Sequence, residues 1–272
     1  MRLFLFFFGR CALTREEKQI RLIKALQEEM PRYAHYPIPQ DREGQWRLLR
    51  GLFNVRPPMP ASSEFLRLEG ELLREITEEK GIVDPAELEA IRPEEALYLW
   101  QGDITRLAAD GIVNAANSAM LGCFRPNHSC IDNIIHTMAG VELRLKCAEI
   151  MEAQGHEEPT GQAKITPAYN LPGQYVIHTV GPIVDGALTQ EHRDLLASSY
   201  RSCLDIAAEN GCESIAFCCI STGVFGFPQQ AAAEIALRTV RSWRAEHTGR
   251  MRIIFNVFKD EDLQSYKRLL EQ

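Results

Sequence analysis

From residue 96 to residue 272, short apolar runs alternate with amphipathic stretches of ten or more residues. The runs are "ALYLWQ" (96–101), "GIVNAANS" (111–118), "AKITPA" (163–168), "QYVIHTVGP" (174–182), "SIAFCCIS" (214–221) and "RIIFNVF" (252–258). Stretches with helical character separate most of them, over 130–155 in one or two pieces, 189–211 and 229–247, and a last one lies at 260–272. Strands joined through helices of that length pair through crossovers rather than tight hairpins, and the resulting sheet must be covered on both faces. This pattern predicts an α/β fold with a mixed or parallel sheet and helices on both sides over 96–272.

Residues 1–95 read differently. "LTREEKQIRLIKALQEEM" (13–30) places Thr14 as an N-cap with Glu17 three residues later, a capping-box helix. "GQWRLLRGLFNVRPPMP" (44–60) predicts a short helix ended by Pro57 and Pro58. "SSEFLRLEGELLREITEEKG" (62–81) predicts a third, starting at Ser62 or Ser63 and stopped by Gly81. The expectation is a small helical N-terminal extension without a chemical motif of its own, serving packing or partner contact.

The formal net charge is −7 and no long Lys/Arg run occurs, which argues against a general nucleic-acid binder. Leu3–Phe8 form an apolar run of six after Arg2, halted by Gly9 and Arg10. That is short for a secretory segment, so a short strand or an anchor buried against the core is expected. No run approaches the ~20 residues of a membrane span. The chain holds eight cysteines but is far too large to need a disulfide scaffold, so a reducing cytoplasm with mostly free thiols is the expected setting.

Several stretches carry chemistry. "STGVFGFP" (221–228) lies between an apolar strand and a helix, and Gly223 and Gly226 let backbone N–H groups approach phosphate oxygens, where the alternative is a plain turn. Asp103 in "GDIT" caps the helical turn beginning at Ile104 or accepts from a ligand, or does both. Asn114 and Asn117 flank a tight turn, and Asn tolerates left-handed backbone. Cys123, His128 and Cys130 fall within eight residues of a predicted ligand loop, and two thiols with an imidazole suit Zn²⁺. A closed structural site needs a fourth protein ligand, for which His136, His156 and His178 are distant candidates; His178, on a strand, reads better as a satisfied core histidine. The local set of three with an open position is therefore the expected arrangement. Asp132 comes next, at the start of a helix, where it serves either as a general base for water or as an acid favoured by the helix dipole.

Taken together, "GDIT" (102–105), "IVNAANS" (112–118), "IDNIIHTMAG" (131–140), "GQAKIT" (161–166), "VIHTVGP" (176–182) and "ISTGVFGFP" (220–228) resemble the macrodomain family in order and spacing, over about 96–272. The resemblance implies a three-layer α/β/α fold with a mixed central sheet that binds ADP-ribose. It places Asp103 and the Ile104 N–H at the adenine, Phe258 stacked on that ring, Ser221, Thr222, Gly223, Val224, Phe225, Gly226 and Phe227 around the diphosphate, and Asn117 at the distal ribose, with Asn114 bracing the loop. Ordinary members carry a glycine run where this chain has "GCFRPNHSCIDNIIH" (122–136). That substitution resembles a branch of zinc-dependent macrodomains, microbial protein-ADP-ribose hydrolases, whose helical N-terminal extension also matches residues 1–95. For this chain the branch implies zinc held by Cys123, His128 and Cys130 beside the distal ribose, with Asp132 and Asn117 as catalytic residues. The implied reaction is hydrolysis of mono-ADP-ribose from protein, an ester to Asp or Glu by resemblance alone, with a sirtuin-like ADP-ribosyltransferase as a companion. Two other readings stay open: a reader of ADP-ribosylated protein with a structural zinc, and an interaction protein that docks through its N-terminal helices.

Overall fold

Six strands form one sheet in the computed structural model, which describes residues 13–91, 94, 96–247 and 249–270. They are β1 (Leu97–Gln101), β2 (Gly111–Ala115), β3 (Ala163–Pro167), β4 (Tyr175–Thr179), β5 (Ser214–Phe217) and β6 (Arg252–Val257). The order across the sheet is β1-β6-β5-β2-β4-β3; every pairing is parallel except β3 with β4. β5 is buried along its whole length and β2 along all but its last residue, as strands covered on both faces must be, whereas β1 and β3 at the edges are half-buried. The mixed sheet agrees with the pattern of apolar runs. The expected strand or anchor over Leu3–Phe8 lies outside the described residues.

Among the described residues eight α-helices surround the sheet: α1 (Arg15–Glu29), α2 (Arg42–Val55), α3 (Ser63–Lys80), α4 (Ile131–Ala139), α5 (Val141–Gln154), α6 (Gln190–Glu209), α7 (Gln229–Glu246) and α8 (Asp260–Leu270). Successive residues of β4 point to opposite faces and identify the two layers. His178 meets Cys147 of α5, while Thr179 faces Cys203 of α6. α6, α7 and α8 pack together on one side, α4 and α5 on the other, giving the three-layer α/β/α arrangement. α1–α3 back the second layer, with α2 against α4. One continuous set of buried apolar side chains runs from Leu22 and Leu49 through Ile135 to Ile254.

Local sequence sets the helix ends. Thr14 and Glu17 form the capping box, Ser62 rather than Ser63 caps α3, and Gly81 closes α3 at φ +82°. Gly140, at φ +96°, divides the 130–155 stretch into α4 and α5. A Cβ there would lie 2.6 Å from Glu69 Oε2, so α3 fits directly against the break. The apolar run at 214–221 is shorter as a strand than as a pattern: β5 stops at Phe217, and Cys218–Ser221 leave the sheet to begin a loop.

Glu69 accepts a 3.0 Å hydrogen bond from the Val141 N–H at the start of α5, and its other carboxylate oxygen has no partner among the described residues. Burial pushes its carboxyl up to about 8, against the opposing effect of that hydrogen bond. A carboxyl whose pKa is raised by folding contributes fully below its unfolded value near 4.5 and progressively less as pH climbs toward 8. Glu69→Gln is expected to leave the melting temperature near that of the parent at pH 5 and to raise it at pH 8, by an amount equivalent to roughly 3 kcal/mol. Identical pH profiles for parent and variant in thermal melts would show that Glu69 stays ionised in the fold.

Candidate functional site

The five parallel strands end on the same edge of the sheet, so the segments that follow them stand in strand order. Asp103 follows β1, Phe258 follows β6, residues 218–228 follow β5, and Asn117 follows β2. Open α/β sheets bind ligands along this edge. With about 4.8 Å between neighbouring strands, the row from β1 to β2 spans about 14 Å. A cleft of about 820 Å³ runs along it. Its walls include Asp103, Ile104, Asn117, Cys123, His128, Cys130, Asp132, Ser221, Thr222, Gly223, Val224, Phe225 and Phe258. Gly226 and Phe227 do not line it. Phe227 is 2% exposed and packs in the core beneath the loop, which makes it a support for the loop rather than a wall of the cleft. Gly226 is needed for its backbone, at φ +69°, where a Cβ would come 3.0 Å from Val184 O.

At the β1 end, Asp103 caps the short 3₁₀ turn Ile104–Arg106: one carboxylate oxygen accepts from the Thr105 N–H (3.1 Å) and the Thr105 hydroxyl (2.6 Å). The other oxygen accepts from Lys80 of α3 at 3.1 Å. Burial raises this carboxyl, but the Thr105 hydroxyl and the Lys80 charge outweigh it and hold the pKa below the ordinary value. Phe258 is 72% exposed, which sets aside a core role and leaves an aromatic face open to the cleft. Sequence reasoning missed Gln229, Asn256, Lys259 and Asp262 on the same walls. No motif signals them; only the strand and helix ends bring them together.

The 218–228 loop is built to turn backbone toward the cleft. Ser221 is held at φ +64°, a left-handed conformation that costs a non-glycine residue on the order of 1 kcal/mol or more. Phe227 N–H donates to Ser221 O (3.0 Å) and Gly226 N–H to Gly223 O (3.1 Å), closing the loop on itself. Phe225 O accepts from Val184 N–H at 2.8 Å and pins its outer limb. Among the described residues the N–H groups of Gly223, Val224 and Phe225 meet no acceptor. α7 begins immediately afterwards with Pro228 at its N-cap and no side-chain cap. Unpaired N–H groups beside an uncapped helix start make a site for an anion.

At the β2 end, Cys123, His128 and Cys130 come together with their ligand atoms all within 4.8 Å of one another. Cys123 Sγ stands 3.6 Å from His128 Nδ1. A tetrahedral zinc with ordinary Zn–S and Zn–N bonds sets sulfur and nitrogen about 3.6 Å apart, so this donor set fits that ion. Without a cation, burial foremost and then the neighbouring Cys123 sulfur push the Cys130 thiol up to about 12. A bound divalent ion reverses that balance, because a coordinating thiol is deprotonated outright.

Asp132 lies in the first turn of α4, buried yet at the cleft wall. One oxygen accepts from Asn114 Nδ2 at 2.8 Å; Asn117 Nδ2 stands 3.4 Å from the other. Burial pushes the carboxyl up to about 6, with the Asn114 hydrogen bond opposing. Asn114 thus braces the site from β2, and the same amide reaches His178 Nδ1 at 3.1 Å. An amide N–H directed at Nδ1 makes Nδ1 the acceptor and leaves the proton on Nε2, which is 3.0 Å from the Thr166 hydroxyl. His178 is therefore a satisfied core histidine, as its strand position suggested. It also forms a second close group with His136 and Cys147, but a protonated Nε2 is occupied as a donor there. His136 is fully buried, and its ring is covered by Gly122, where a Cβ would come within 2.8 Å of it.

The Macro domain family profile matches residues 113–236. A protein of Treponema medium called Protein-ADP-ribose hydrolase is 55% identical over 260 residues, covering 95% of this chain and all of that protein. A Fusarium oxysporum protein called a probable bifunctional ADP-ribose hydrolase/ADP-ribosyltransferase is 39% identical over 89% of this chain, which spans 44% of that longer protein. Among solved structures, a Trypanosoma brucei macrodomain in complex with ADP-ribose superposes with a TM-score of 0.61 at 29% identity, covering 96% of this chain and 92% of that one. No helix among the described residues is long and apolar enough to cross a membrane. With a sheet order, a ligand edge and near full-length relatives in agreement, the chain belongs to the macrodomain family.

Proposed function

We propose that this hydrolase removes mono-ADP-ribose from modified protein side chains in a zinc-dependent reaction, cutting the ester to an Asp or Glu. That the chain is a hydrolase rests on its 55% identity, along nearly its whole length, to a protein-ADP-ribose hydrolase. The observation that carries the zinc dependence is the cluster of Cys123, His128 and Cys130 at the β2 end of the cleft, opposite Asp103 and Phe258. In this reading ADP-ribose lies along the strand row. Asp103 accepts from the adenine amino group and the Ile104 N–H meets the ring, while Phe258 stacks on it. The free N–H groups of Gly223, Val224 and Phe225, with Ser221 and Thr222 beside them, surround the diphosphate. Asn117 and Asp132 then face the distal ribose.

Zinc, when bound by Cys123, His128 and Cys130, supplies a Lewis acid at that reacting end. The chain's own residues do the rest. Asp132 is held by Asn114 so that a carboxylate oxygen remains at the cleft wall to orient water and take its proton. Asn117 fixes the turn through its side chain, accepting from Ala119 N–H at 3.1 Å and donating to Gly122 O at 3.3 Å. The companion enzyme in the proposal is a sirtuin-like ADP-ribosyltransferase that installs the modification. Support for the pairing comes from the Fusarium relative, whose name joins both activities in one chain. A cytoplasmic setting belongs to the same reading, and the seven described cysteines are free thiols.

The test is release of ADP-ribose from protein modified at Asp or Glu, at Ser, and at Arg, before and after metal removal by a chelator. Cleavage confined to the ester and abolished by the chelator is the expected result. Undiminished turnover by metal-free protein would overturn the zinc dependence, and cleavage of a Ser or Arg linkage alone would overturn the ester. Asp103→Ala is expected to weaken ADP-ribose binding by about 1–3 kcal/mol, the range for a lost charged hydrogen bond. Calorimetry giving unchanged affinity would reduce Asp103 to the cap of its turn.

A further inference from the structure

The segment between Leu121 and Cys130 carries all three thiol and imidazole ligands, yet it forms no regular secondary structure. Its own backbone provides one hydrogen bond among the described residues, His128 N–H to Arg125 O at 3.2 Å. Ten residues with so little internal pairing take their shape from whatever satisfies their polar groups. Here side chains from outside the loop do so. Asn133 Nδ2 donates to Cys123 O at 3.2 Å and to Arg125 O at 3.0 Å. Arg144 Nε donates to Leu121 O at 2.8 Å. Two more come from α2 of the N-terminal extension. Arg50 Nη2 donates to His128 O at 2.6 Å, and Asn54 Oδ1 accepts from Asn127 N–H at 2.9 Å.

We infer that Arg50 and Asn54 are positioning residues for the metal-ligand loop, so that the N-terminal helices are part of the apparatus that presents Cys123, His128 and Cys130 to the cleft. This rests on the reading of those three residues as metal ligands. Arg50 acts at both ends of the loop. Besides His128 O, it donates to Asn133 Oδ1 at 2.8 Å, which fixes the amide so that its nitrogen faces Cys123 O and Arg125 O. Asn54 holds the turn before His128, where Asn127 has φ +56°. Its own amide is oriented by a 3.0 Å bond to Thr137 of α4. Gly51 stands one residue on from Arg50 and lets α2 approach: a Cβ there would come 3.2 Å from Asn127 Nδ2 and 3.8 Å from Pro126 Cβ. A charged donor aimed at a loop carbonyl and an amide oxygen accepting from a loop N–H, both on a packed helix, fix ligand direction in the way outer groups do around metal sites.

The experiment measures amide hydrogen exchange over residues 121–130 in metal-free full-length protein, together with zinc affinity by chelator competition. Parent, Arg50→Met, Arg50→Lys and Asn54→Leu are compared. Arg50→Met and Asn54→Leu are expected to speed exchange in the loop at least tenfold while β2 keeps its protection, and to weaken zinc binding at least tenfold. Arg50→Lys is expected to restore part of both. In turnover, kcat should fall while KM changes less than twofold. Loop exchange unchanged in Arg50→Met and in Asn54→Leu would overturn the inference. If Arg50→Met does not fold, the other two variants carry the same readout. A parent that binds no zinc would overturn the metal reading separately, because loop exchange is read without the ion.

Discussion

Cys130→Ala is expected to leave a folded protein that still binds ADP-ribose but releases it from modified protein at least about a hundredfold more slowly. Three observations set this outcome. Cys130 is the N-cap of α4 but its side chain makes no regular capping bond; its sulfur is only a weak acceptor for the Asn133 N–H, so alanine costs the helix start little. Arg50, Asn54, Asn133 and Arg144 hold the loop through side-chain bonds to its backbone at His128, Asn127, Arg125 and Leu121, none of them through the Cys130 sulfur, so its shape survives. Asp103 stands about 14 Å and Phe258 about 10 Å away along the strand row, beyond the reach of the change. The substitution removes one of three ligands and one thiolate charge, and metal bonds hold far more free energy than an ordinary contact. Zinc content, melting temperature, ADP-ribose affinity and turnover should be measured on one sample. A large fall in melting temperature with loss of binding would mean the ion is structural. Full turnover by zinc-free protein would end the metal reading altogether.

Alternating apolar runs and helical stretches made the fold class readable, because crossover-connected strands admit few architectures. Boundaries were less readable where chemistry is local but the constraint is tertiary. "SIAFCCIS" is apolar throughout, yet β5 ends at Phe217, and nothing within the run marks the point where its neighbours stop. The site residues divide in the same way. Glycines, caps and the Cys/His cluster are legible because each has a backbone or ligand meaning at its own position. Phe227 is not: it belongs to the loop that faces the cleft, but its side chain is buried in the core. Gln229, Lys259 and Asp262 reach the cleft only because the start of α7, the end of β6 and the first turn of α8 bring them to its edge. Arg50 and Asn54 were equally silent, since one arginine and one asparagine on an amphipathic helix carry no signature. Their meaning comes from the loop, far along the sequence, that α2 packs against.

Gly181→Val is expected to lower ADP-ribose affinity about tenfold to a hundredfold and to lower the melting temperature. Gly181 follows β4 and its Cα faces the start of the 218–228 loop. A Cβ at this position would come 2.1 Å from Ser221 Oγ and 2.7 Å from Ile220 Cγ2. Both neighbours are buried, and Ser221 is already held at φ +64°, so it has little freedom to retreat. Overpacking of this kind costs roughly 1–3 kcal/mol, and here the strain falls on the loop whose free N–H groups face the ligand. Ser221 Oγ is itself buried without a partner among the described residues, so a hydroxyl is kept here at a desolvation cost that a ligand oxygen would repay. Ser221→Gly combined with Gly181→Val separates the two effects, because it removes the colliding hydroxyl and relaxes the left-handed backbone. The double variant should recover melting temperature relative to Gly181→Val, while its affinity stays below that of the parent through loss of the hydroxyl. Parent-like affinity in Gly181→Val, measured by calorimetry, would mean that the ligand does not touch the loop between Ser221 and Phe225.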